Sequence, residues 1–151
     1  MPKINLLTID ELIKSLDKLE ENMLPKWGKM NASQMMKHCS KFIDLYTGKI
    51  KLPFWYKIFG ATIGKLFLVY ISNKKPSETP KNLRTDKSIK IIEENLIFVD
   101  EKQILINKIK EISLIKSSIN HPIYGKTDAE KIKFLILHHT MHHFNQFGLL
   151  Q

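Results

Sequence analysis

The sequence predicts an all-α domain built as a four-helix bundle, and three observations predict it. Four stretches carry apolar residues at helical spacing, each with a capping residue near its start. No alternating, strand-like pattern recurs along the chain. The 151 residues, 43% of them hydrophobic, suffice for one buried core but show neither a repeat nor a linker that would divide them. Residues 1–151 therefore read as a single domain.

The first helix begins at Thr8, where Thr8-x-x-Glu11 forms a capping box, and is expected to run to about Met23. The second follows Asn31, a capping residue with Gln34 three positions later, and is expected to end near Gly48. Between the second and third helices lies an insertion, residues 50–97. A short helix is expected there over about 54–71, followed by a loop at "KKPSETPKNLRTD". The stretch "SIKIIEENLIF" fits an extended or a helical conformation equally. The third helix is "VDEKQILINKIKEISLI", with Asp100 as its expected cap and Ile104, Ile106, Ile109 and Ile112 on mostly helical spacing. The fourth is expected to begin at a second capping box, Thr127-x-x-Glu130, and to run to about Phe147.

Charge and composition narrow the class. The formal charge is +9, but Arg84 is the one arginine and the lysines are dispersed, with no cluster of arginine forks or aromatic platforms. A solvated basic surface open to small anionic substrates is expected, with no nucleic-acid partner. The N-terminus acquires Asp10 and Glu11 and lacks a long apolar run, unlike a signal peptide. Leu52 to Ser72 approaches the length of a membrane span, yet Lys57 and Lys65 fall inside it, so a buried or amphipathic helix is expected and no membrane partner. Gly60-x-x-x-Gly64 also permits close packing in water-soluble folds. The same region is more apolar than one bundle face needs, which predicts a homodimer or lipid-independent self-association through part of it. The single cysteine, Cys39, projects toward the core as a small hydrophobe and fits a reducing, cytoplasmic setting.

Near the end, "FLILHHTMHHFNQFGLLQ" places four histidines in six residues. At about 100° per residue, Ile132, Leu135, Ile136, His139, His143 and Phe147 share an inward arc of roughly 120°. His138 and His142 fall on another strip with Lys131 and Asn145 and are expected to be partly solvated. His139 and His143, at i and i+4, present both rings on one face, the spacing by which a helix offers two imidazoles to one metal ion. A third ligand must come from elsewhere. His38 flanks the apolar face of the second helix, where a seam position and a solvated boundary are equally open to it. His121 precedes Pro122 in "NHPIYG", where turn chemistry is the simpler role. Gln146, one turn beyond His143, and His142 are placed to orient a ligand or water from behind.

"HTMHHFNQFGL" (139–149) resembles the closing helix of the DinB/YfiT-like metal-binding superfamily, in which His-x-x-x-His is followed by Gln three residues on. "KWGKMNASQMMKHCS" (26–40) and "HPIYGK" (121–126) resemble the Trp…Met-x-Ala-x-Gln-Met…His and His-Pro-x-x-Gly segments of a branch of unknown function. The resemblance implies an up-down four-helix bundle holding a divalent metal on His38, His139 and His143. Three neutral imidazoles fit Zn, Ni or Fe(II) and leave a position open, where such an ion lowers the pKa of bound water to about 7 or ionises a thiol. Some relatives are thiol-dependent transferases or isomerases. The expected function is therefore a metal-dependent thiol transferase, using a low-molecular-weight thiol, or a hydrolase, acting on a small-molecule substrate. The alternative is a metal-dependent binding or stress-response protein without turnover.

Overall fold

The computed structural model describes residues 6–83, 86–121 and 123–150. Arg84 and Pro122, noted in the sequence, lie outside the described residues. The described chain is mostly helical. In order it forms α1 (Ile9–Leu16), α2 (Ala32–Tyr46), α3 (Trp55–Phe59), a π-helical turn (Gly60–Gly64) and α4 (Lys65–Ser72). A 3₁₀ turn (Pro76–Glu78), α5 (Phe98–Glu111), a second 3₁₀ turn (Ile112–Leu114), β1 (Ile119–His121), β2 (Gly125–Thr127) and α6 (Ala129–Gln146) complete it.

α5 and α6 each pack against both α1 and α2. The core between them is filled by Leu12 and Leu16 of α1, Met36 and Ile43 of α2, Leu105 and Ile109 of α5, and Ile132, Ile136 and Phe144 of α6. Each of these spacings, i to i+4, i+7 or i+8, keeps one stripe of a helix turned inward. Lys108 of α5 also bridges Asp44 of α2 at the edge of the core.

The capping boxes at Thr8 and Asn31 form as the sequence predicts, each with its reciprocal side-chain bond. Three helix limits differ. α1 stops at Leu16, well short of Met23. Its last turn tightens into i→i+3 bonds, Leu19 drops into the core, and the chain leaves to cross α6, where Lys26 N–H donates to the Gln146 carbonyl (2.7 Å). α5 starts at Phe98, so Asp100 is not its cap but sits in the first turn with Glu101, where negative charge favours the helix dipole. α6 is capped by Asp128, whose side chain accepts from Lys131 N–H (2.8 Å). Thr127 is unavailable because it belongs to β2.

The two strands depart from an all-helical fold. They form an antiparallel hairpin with Ile119 opposite Thr127 and His121 opposite Gly125. Gly125 takes φ +69°, a turn conformation that costs glycine nothing sterically. The helical region over 54–71 is found as α3, the π-helical turn and α4 in succession. Its inward face includes Gly60, where a Cβ would lie 2.0 Å from the Ile123 carbonyl oxygen, so only glycine lets the backbone meet the hairpin. The stretch after Lys87 is neither helix nor strand up to Ile97. No helix among the described residues is long and apolar enough to cross a membrane.

Candidate metal centre

His38 is carried on α2 at the seam with α6, and the structure brings it to His139 and His143. One ring nitrogen from each of the three lies within 4.8 Å of the others. The Nε2 atoms of His38 and His139 are 3.3 Å apart, and the ring centroids of the three are separated by 5.0, 4.7 and 4.6 Å. Two nitrogens bonded at about 2.0–2.1 Å to one tetrahedral ion stand roughly 3.3–3.4 Å apart, so the His38–His139 edge already has the span of a ligand pair.

Hydrogen bonding fixes which nitrogens are bare. His38 Nδ1 lies 3.0 Å from the Ile89 carbonyl oxygen, which only accepts, so Nδ1 carries the proton and Nε2 presents its lone pair. Gln146 Nε2 donates to the Trp27 carbonyl (2.6 Å), which orients the amide so that Oε1 accepts from His143 Nδ1–H (2.8 Å). His143 Nε2 is therefore also bare. Behind Gln146 the chain passes at Gly28, φ +82°, where a Cβ would come 2.6 Å from Gln146 Nε2. His139 is positioned differently: its ring stacks on Phe42 at 3.5 Å and 5°, and its buried Nδ1 has no partner among the described residues. Because the His38 lone pair faces it, one His139 nitrogen is left unsatisfied in either tautomer. In the Nδ1–H tautomer, where His139 Nε2 sets its lone pair against that of His38, a cation between the rings removes the opposition. The donor set thus fits a divalent ion that prefers neutral nitrogen ligands.

The electrostatics agree with neutral rings. Burial, followed by the neighbouring imidazoles of His143 and His38, holds His139 well below the ordinary histidine value. Burial pushes His143 down to about 3 and lowers His38, although the Ile89 hydrogen bond works in the opposite direction. No carboxylate joins the cluster among the described residues.

The other histidines divide differently from the helical projection. His138 and His142 are buried, 2% and 9% exposed, rather than partly solvated. The segment leaving α4 lies over their strip of α6, and its carbonyls take both rings: His138 Nε2–H donates to Lys74 O (2.8 Å) and His142 Nδ1–H to Pro76 O (3.2 Å). A strip that faces water on an isolated helix is here covered by the insertion. His121 remains outside the cluster and performs turn chemistry, its Nδ1 accepting from the N–H groups of Ile123 (3.1 Å) and Tyr124 (3.2 Å). Cys39 is fully buried against Met35, and burial pushes its thiol well up, as suits a hydrophobic role.

The three imidazoles open onto a cleft of about 810 Å³. Trp27, Phe67 and Tyr124 give it an apolar wall, and Lys29, Lys87 and Asp86 give it charge. Burial raises the Asp86 carboxyl, but hydrogen bonds from Ser88 and Tyr56 outweigh it and hold the group below its usual range. Sequence reasoning missed Asp86, and also the carbonyls of Trp27 and Ile89. Backbone acceptors leave no sequence signal, and Asp86 lies in the insertion, whose pattern is weak.

No curated protein and no solved structure matched the chain. A family model described as a protein of unknown function (DUF1569) matches residues 3–148. That span takes in α1 through α6 and all three clustered histidines, and the chain belongs to this family.

Proposed function

We propose that His38, His139 and His143 are the protein ligands of one divalent metal ion, Zn, Ni or Fe(II), and that the centre serves a metal-dependent transfer or hydrolysis on a small molecule. The observation that carries the reading is the pair of Nε2 atoms on His38 and His143 left bare by a hydrogen bond behind each ring, in a cluster where one nitrogen of each of the three histidines lies within 4.8 Å of the others. The packing of α1 and α2 against both α5 and α6 supports an up-down four-helix bundle of the DinB/YfiT-like kind. An ion held there supplies Lewis acidity toward a water or a low-molecular-weight thiol.

The chain's own residues bind, orient and exclude. Phe42 holds the His139 ring by stacking. Ile89 and Gln146 keep the other two rings in one tautomer. Trp27 and Phe67 shield the cleft from water, while Lys29 and Lys87 attract an anionic substrate. A second reading, metal-dependent binding without turnover, is favoured by the absence of a carboxylate from the cluster among the described residues. Metal-loaded protein assayed for thiol conjugation and for ester hydrolysis separates the two. Turnover that chelator removes supports the enzyme; stoichiometric metal with no turnover in either assay supports the binder.

Gln146 gives a finer test. Gln146→Leu keeps the side chain's bulk but removes the acceptor behind His143. Metal affinity should fall by about 10–100-fold, as is typical when such a supporting partner is lost. Unchanged affinity in a titration calorimeter would detach Gln146 from the centre.

A further inference from the structure

The α3–α4 segment is anchored on one side and uncovered on the other. Leu68 and Ile71 are buried, and Gly60 and Gly64 meet Ile123 and Tyr124 of the hairpin. The opposite side exposes Phe54 (70%), Trp55 (67%), Ile58, Ile63, Leu66 (72%), Val69 and Tyr70. So many large apolar side chains on one short segment exceed the scattered exposure that any surface carries. Such a face marks a partner, and its charge says which kind. Between Asp44 and Glu78 the sequence holds Lys49, Lys51, Lys57, Lys65, Lys74 and Lys75 and not one carboxylate side chain. Lys49 pairs with Glu111, while Lys51, Lys57, Lys74 and Lys75 make no ion pair among the described residues.

We propose that this face docks on the surface of a bilayer containing anionic lipid, with α3 and α4 lying in the interfacial plane. A second copy of the chain, the pairing that the sequence predicted, would set this lysine-rich segment, itself without a carboxylate, against its own copy, because a two-fold contact repeats the same patch on both sides. Anionic headgroups neutralise it instead. An apolar face bearing tryptophan and tyrosine and flanked by lysines is the composition of a helix that rests in a membrane interface, its rings at headgroup depth and its ammonium groups among the phosphates. The lysines inside the stretch, which oppose spanning, favour this arrangement. Docking of this kind does not depend on the metal reading, since none of the three clustered histidines belongs to the face.

Flotation with vesicles tests it directly. The full chain should float with phosphatidylcholine vesicles that also contain phosphatidylglycerol, bind phosphatidylcholine alone far more weakly, and detach in high salt. Leu66→Glu should weaken partition by at least about tenfold by placing a charge in the apolar face. Lys57→Glu should weaken it at least about fivefold, the worth of one lysine near an anionic surface, and changes charge alone. Both side chains are exposed, so circular dichroism and melting should match the parent. Equal binding to the two vesicle types, no binding to either, or a dimer that Leu66→Glu splits without any vesicle binding would overturn the proposal.

Discussion

His139→Ala and His143→Ala are each expected to abolish stoichiometric binding of a divalent ion, and His38→Ala to weaken it severely. A lost supporting partner already costs about 10–100-fold in affinity, and a lost ligand costs more. Two imidazoles would remain, both on one helix or split across the seam, with the ion's further positions open to water. The thermal readout follows from linkage: an ion at a hundred times its Kd adds about 2.7 kcal/mol. In a domain of this size that raises Tm by roughly 5–10 °C. Wild-type protein should show the rise with Zn or Ni and lose it with chelator, while the His139 and His143 variants should show neither. His142→Ala and His138→Ala should keep one ion per chain, because their rings bond to Pro76 and Lys74 carbonyls instead. Calorimetry giving loss of the ion in His142→Ala and retention in His143→Ala would assign the wrong face of α6. A wild-type Tm indifferent to metal and chelator would leave the three rings a purely structural role.

The second large effect is acid sensitivity of the metal-free protein. Burial holds His121 at about 4 and His143 at about 3, and it lowers His38, His138, His139 and His142 as well. In the unfolded chain all six titrate near 6.5. Below that value the unfolded state takes up protons that the native state refuses, so stability is full above about pH 6.5 and falls as pH drops toward the native values. At about pH 5, His121 and His143 each contribute a loss of about 2 kcal/mol, a large share of the 5–15 kcal/mol that holds a typical domain together. Melts of apo protein between neutral pH and about pH 5 should show Tm falling steeply. The lead of metal-loaded over apo protein should persist below pH 6.5, because protons compete for the ligands only near their lowered native values. A flat apo Tm across that range would mean these rings are more open to water than their burial implies.

The sequence makes some parts of this molecule legible for physical reasons. Capping at Thr8 and Asn31 is local chemistry within four residues, and it forms as expected. The i, i+4 spacing of His139 and His143 is likewise a property of one helix, so their common direction can be read without the rest of the fold. His38 needed the resemblance, because its place on a seam depends on a helix about a hundred residues away. What failed was tertiary. The hairpin claimed Thr127 from its capping box, and the insertion covered His138 and His142, whose strip of α6 is solvent-facing only in isolation. The end of α1 at Leu16 reflects the demand that Lys26 and Trp27 reach Gln146, which no local pattern encodes.

The separation of 101 positions between His38 and His139 also sets a timetable for the molecule's birth. A ribosome adding roughly 5–20 residues per second needs on the order of 5–20 s to travel from the first of these histidines to the second. Throughout that interval the nascent chain offers one imidazole of the three, no better a chelator than any stray histidine. If the three rings hold an ion as proposed, the full ligand set exists only once α6 has been made and has docked beside α2. On that reading the ion is drawn from whatever pool meets the chain after synthesis has passed His143.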